Sequence, residues 1–90
     1  MVGDIRYFIE YVVRRLVRFP DEVDVLQIDN GNTINYLISV NAEDVGRVVG
    51  KHGKTINAIR SLANTVSSKT NIRAVIDVAA NEKPESTQAG

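Results

Sequence analysis

The chain has no cysteine, no tryptophan and a single histidine among its 90 residues. Without cysteine there are no disulfides and no thiolate chemistry, and the reducing cytosol is the expected setting. The N-terminus lacks the apolar core of a signal peptide, and no run approaches the ~20 apolar residues of a membrane-crossing helix. The one histidine, His52, has no carboxylate close to it in sequence and no cysteine to join it. Neither a metal-ligand spacing nor a nucleophile–base pair is therefore present. An enzyme is the weakest class, and no cofactor, metal or small-molecule substrate is expected.

Net charge is absent too, with 11 basic against 11 acidic side chains. The signs are nevertheless segregated. Residues 45–76 contain no Asp or Glu, yet they hold Arg47, Lys51, Lys54, Arg60, Lys69 and Arg73. A neutral protein with a basic middle has a dipolar surface, and the local field rather than the total charge steers a polyanion. Ninety residues make one domain with a small core.

What the chain does contain centres on Val48-Val49-Gly50-Lys51-His52-Gly53-Lys54-Thr55-Ile56-Asn57-Ala58-Ile59. This reads as an apolar helix end, a tight turn bounded by two glycines, and a second amphipathic helix. Glycine at both ends of a turn signals positive φ, close approach, or both. The unpaired N–H groups and positive dipole end of the second helix face back into the turn. With Lys51, His52 and Lys54 around it and no acid within it, the place suits an anion, most naturally a phosphate. Gly53-Lys54-Thr55 imitates the end of a nucleotide-binding P-loop. That motif, however, needs glycine where Val48 stands and a strand before the loop.

Along the chain, Asp4 is a candidate N-cap, and Ile5, Phe8, Ile9, Val12, Val13 and Leu16 follow at helical spacing. Pro20 disfavours helix at Phe19 and predicts the stop there. A basic amphipathic helix can also lie on a membrane, but strands that need a cover favour core packing. Residues 23–29 and 33–40 read as strands joined through Asp29-Asn30-Gly31-Asn32, where Asn-Gly suits two consecutive positive φ values. Val23 and Val25 change phase against Leu26 and Ile28, which admits a bulge. Asn41 is a cap for the next short helix, with Asp44 as partner in a partial capping box. Ile56, Ile59, Ala63 and Val66 line a helix running to about residue 69, and residues 72–79 alternate as a third strand. From Asn81 the chain is polar and aperiodic, a tail expected to be disordered and dispensable.

The order α-β-β-α-α-β predicts an α+β domain over residues 1–80. Its three-stranded mixed sheet, with the third strand parallel to the second, should be covered on one face by three helices. Two aliphatics, G-x-x-G and I-x-x-I (Val48, Val49, Gly50, Gly53, Ile56 and Ile59) resemble the signature of the KH domain, and the element order resembles its type II form. Asp44, Gly46, Val48, Val49, Gly50, Lys51 and Gly53 also match the Asp-x-Gly-x-Val-[IV]-Gly-Lys-x-Gly of the small stand-alone bacterial KH proteins of the KhpA (YlqC) type.

The resemblance implies a single-stranded RNA-binding module acting as a post-transcriptional regulator or RNA chaperone. KH modules clamp about four nucleotides against the glycine loop. The site residues it implies are Gly50, Lys51, His52, Gly53 and Lys54 at the backbone, with Arg47 beside them. Val45, Val48, Val49, Ile56, Arg73 and Val75 would wall an apolar groove for bases. No aromatic lies near the loop, so recognition there rests on aliphatic contact and hydrogen bonds. The alternative is a docking module that dimerises or partners a larger KH-containing RNA-binding protein, with RNA binding secondary.

Overall fold

The computed structural model describes residues 2–67 and 71–81, so the polar segment from residue 82 onward lies outside the described residues. The elements are α1 (Val2–Leu16), β1 (Asp24–Asp29), β2 (Thr33–Val40), α2 (Val45–Val49), α3 (Lys54–Ser67) and β3 (Arg73–Ala80). Single 3-10 turns at Pro20–Glu22, Ala42–Asp44 and Lys51–Gly53 join them. The sheet order is β1-β2-β3, antiparallel between the first two and parallel between β2 and β3.

One side of the sheet and all three helices share a core. Ile5, Ile9 and Val13 from α1, Val48 from α2, and Ile56, Ile59 and Ala63 from α3 meet Val25, Ile34, Tyr36, Ile38, Val40, Ala74 and Ile76. Val66, on the same α3 stripe by spacing, lies outside the described side chains. Each fully buried aliphatic side chain here contributes roughly 1.5–3 kcal/mol. Burial, and after it the carboxylate of Asp29 on the same side of the sheet, raises the pKa of the Tyr36 hydroxyl.

Several local expectations are corrected. β1 pairs with β2 one residue to one, from Asp24–Ser39 to Asp29–Ile34, so there is no bulge. The phase change is absorbed by leaving Leu26 and Ile28 exposed on the open side of the sheet. In the hairpin only Gly31 has positive φ, +82°. The Asp29 carboxylate accepts the Gly31 N–H at 3.0 Å, which closes the turn without a left-handed Asn30. Helix α1 starts at Val2, so Asp4 lies inside its first turn rather than at its cap, and it ends at Leu16 rather than near Phe19.

Asn41 does cap, its Oδ1 accepting from Glu43 N at 2.8 Å, but Asp44 does not complete a capping box. Asp44 is fully buried. Its two oxygens accept the N–H groups of Arg18 (3.0 Å) and Phe19 (3.1 Å), and Arg47 Nε lies 3.5 Å from one of them. One carboxylate thus fastens the exit of α1 to the entrance of α2.

Side chains from the helices take one backbone group on the β1 edge of the sheet and two on the β3 edge. Asn30 N–H reaches the Thr33 carbonyl across the hairpin, so by alternation the Val25 carbonyl points off the edge of β1, where Arg6 Nε donates to it at 3.3 Å. On β3, Arg60 donates to the Ile76 carbonyl through Nε (3.0 Å) and a terminal nitrogen (2.9 Å). Ala74 N–H donates to Asn64 Oδ1 at 3.1 Å. Occupied edge groups cannot template a foreign strand.

Two stability effects are expected. Asp44→Ala leaves the Arg18 and Phe19 N–H groups without their buried acceptor and should lower unfolding free energy by about 3 kcal/mol in chemical denaturation. A change under 1 kcal/mol would mean water replaces the carboxylate. Asn81, at the start of the polar segment, donates from its backbone N–H to Val40 O and from its side chain to Glu22 O, both at 2.7 Å. A chain ending at Ala80 should therefore lose about 1–2 kcal/mol, whereas one ending at Asn81 should match the parent.

Candidate nucleic-acid interface

Helix α2 is a turn and a half long and ends at Gly50, whose N–H donates to Gly46 O at 2.9 Å. The chain then reverses within one tight turn. Gly53 N–H donates to Gly50 O at 3.1 Å, Lys54 N–H donates to Lys51 O, and α3 begins at once. Three of the four turn residues have positive φ: Gly50 (+81°), His52 (+59°) and Gly53 (+73°). Left-handed residues in a tight turn are the backbone form from which anion-binding nests are built. The opening N–H groups of α3 have no intrahelical acceptor and carry the positive end of its dipole.

The two glycines are required for different reasons. A Cβ on Gly50 would stand 2.8 Å from the Thr55 backbone nitrogen and 2.7 Å from its Cβ, so the first turn of α3 sits directly on Gly50. A Cβ on Gly53 would meet only Asn57 Nδ2, at 3.8 Å. The constraint at Gly50 is thus internal as well as conformational, and at Gly53 it is φ alone.

Lys51, His52 and Lys54 are exposed around the turn, with Gly50 and Gly53 half-buried. Arg47 is exposed one turn back, with its Nε held by Asp44. Val48 and Ile56 are core side chains, 0% and 5% exposed, so they support the turn from below. Val45 and Val49 are half-buried and pack against that core.

Arg73 and Val75 are not beside the turn. They lie on the side of β3 away from the helices, and Ala74 between them is tied to Asn64. Asn64 is ten residues along α3 from Lys54, about 15 Å by helical rise. Turn and Arg73 therefore mark opposite ends of a strip between α3 and the free edge of β3. A depression of about 200 Å³ at its far end is lined by Arg60, Asn64, Arg73, Ala74, Val75 and Asp77, among others.

Arg60 closes the strip over the Ile76 carbonyl, and it also reaches Asn57 Oδ1 (3.3 Å) and Asp77 (3.8 Å). Asn57, Arg60 and Asn64 stand at helical spacing in the sequence, which does not show the strand edge that Arg60 and Asn64 meet.

A helix, a glycine-bounded turn and a helix placed between the parallel strands of an α-β-β-α-α-β chain define a KH domain of type II. The chain belongs to the family described as KhpA/KhpB, KH domain, whose model matches residues 6–78, a family of KH domains and not of enzymes. The RNA-binding protein KhpA of Chlamydia pneumoniae is 38% identical over 71 residues, covering 79% of this chain and 91% of that protein. The RNA-binding protein KhpA of Halalkalibacterium halodurans is 34% identical over 70 residues, covering 78% and 92%. Among solved structures, the chain is similar to Era in complex with MgGDPNP and nucleotides 1506–1542 of 16S ribosomal RNA. The TM-score is 0.51 at 14% identity, over 89% of this chain and 32% of that one, a likeness of fold alone.

The unequal roles of the glycines are testable by thermal and chemical denaturation. Gly53→Ala should cost about 1 kcal/mol, the penalty of a left-handed alanine. Gly50→Ala adds the collision with Thr55 and should cost at least about 2–3 kcal/mol. Equal costs would show that the contact with Thr55 relaxes freely.

Proposed function

We propose that the protein binds single-stranded RNA as a post-transcriptional regulator or RNA chaperone. The turn at residues 50–53 and the start of α3 hold the sugar-phosphate backbone, and the strip between α3 and β3 receives bases. The carrying observation is the turn itself: three positive φ values and a helix N-terminus within an acid-free, basic stretch. The RNA-binding names of the relatives support the same partner. Lys51, His52 and Lys54 meet phosphates, Arg47 supplements them, and Arg73 serves the far end. Val48 and Ile56 act by keeping the turn rigid, while Val45 and Val49 offer partly open aliphatic surface.

A docking role is compatible with this. Leu26 and Ile28, 50% and 45% exposed, share the open side of the sheet with Leu37 and Val75. A second copy of the chain or a larger KH-containing RNA-binding protein would fit there without covering the turn.

The test is Lys51→Asp combined with His52→Asp. Both side chains are exposed, and aspartate tolerates the left-handed geometry at position 52 better than most residues. The circular dichroism spectrum should be unchanged, and affinity for an unstructured RNA should fall at least about tenfold, 1.4 kcal/mol. Titrations at several salt concentrations should give the parent a log-log slope of about −1.5 to −3, at roughly −0.7 per neutralised phosphate, and the variant a shallower one. A folded double variant that binds RNA like the parent would reduce the turn to a helix connection.

A further inference from the structure

Helix α1 sends Ile5, Ile9 and Val13 into the core and turns its opposite face to solvent. That face carries Tyr7, Tyr11, Arg14 and Arg15 at i, i+4, i+7 and i+8. The two tyrosines, 67% and 61% exposed, are the most open large hydrophobic side chains among the described residues. Packing does not account for rings in that position. Arg6 lies over the Tyr7 ring with its guanidinium carbon 5.9 Å from the centroid, and Arg15 lies over Tyr11 at 4.9 Å. Glu10, the described acid of this face, is already paired with Arg14 at 3.0 Å. A shallow depression of about 250 Å³ runs between Tyr7, Glu10, Tyr11 and Arg14.

We propose that this face of α1 is a second contact for single-stranded RNA, in which Tyr7 and Tyr11 stack on bases and the arginines beside them take phosphates. Residues at i and i+4 on a helix stand about 6 Å apart at Cβ, so two rings form a short ladder. Aromatic rings flanked by basic side chains hold single strands without sequence preference. With Arg14 paired to Glu10 and Arg6 tied to the Val25 carbonyl, the exposed Arg15 and Arg18 remain to give the charge sign that a polyanion needs. The face also supplies the aromatic surface that the turn lacks. A membrane fits less well, because the apolar stripe of the helix is used up in the core. Tyr7 and Tyr11 share no residue with the turn, so this contact stands or falls apart from the function proposed above.

The test uses the whole chain with uridine oligonucleotides of four and sixteen residues. There is no tryptophan and Tyr36 is out of reach of an added strand, so a change in tyrosine emission on binding reports chiefly on Tyr7 and Tyr11. The longer oligonucleotide should quench that emission. Tyr7→Ala with Tyr11→Ala should bind it at least about fivefold more weakly while keeping parental affinity for the shorter one, and the Tyr→Phe pair should behave as the parent. The same loss should appear when the alanines are added to the Lys51→Asp/His52→Asp protein, which separates this contact from the turn. A folded alanine variant with parental affinity for the longer oligonucleotide overturns the proposal. So does a tyrosine dependence seen only in binding to phosphatidylglycerol vesicles or only in self-association.

Discussion

The buried carboxylate of Asp44 sets the frame on which the site depends. It sits without solvent exposure at the junction of α1 and α2, satisfied by two backbone N–H groups and approached by one guanidinium. Burying a charge in so small a protein is tolerable only with such partners. Once α2 is fastened at its start, its five residues deliver Gly50 to a fixed place above the core through Val48. The first turn of α3 then rests on Gly50 through Thr55, which leaves little freedom in the angle between the helices. The exposed basic turn is therefore presented by a rigid support.

Charge arrangement follows the same division of labour. Asp44, the acid adjoining the basic stretch, is spent inside the protein, and Asp77 faces Arg60 rather than the turn. The remaining cations near the turn keep their field outward. Arg60 performs a structural task on the Ile76 carbonyl, and its counterpart Arg6 performs one on Val25 at the other edge of the sheet. Basic residues in this chain thus divide into those that finish the fold and those left for a polyanion.

Much of this was legible in the sequence because the strongest signals are local. Alternation along residues 33–40, the helical stripes of α1 and α3, and the two glycines around Lys51-His52 placed the elements and the turn. The errors arose where long-range partners decide. Asn41 and Asp44 look like a capping pair, yet Asp44 bonds to a chain segment 25 and 26 residues away. Arg73 and Val75 look like neighbours of the turn because β3 closes the fold, but β3 runs beside α3 so that its start meets the helix end. Val48 and Ile56 carry the signature spacing, and only packing shows that they are core rather than surface. Tyr7 and Tyr11 are plain in the sequence, but their exposure depends on which stripe of α1 the sheet takes.

In the proposed function the RNA backbone lies against the turn at residues 50–53 and the start of α3. An amide NMR titration of isotope-labelled protein with a uridine tetranucleotide tests it most directly. The largest shift changes should fall on residues 51–55, followed by Ile76 and Val78 along the free edge of β3. Amides that stay still there, while changes gather on Leu26, Ile28 and Leu37, would contradict the account.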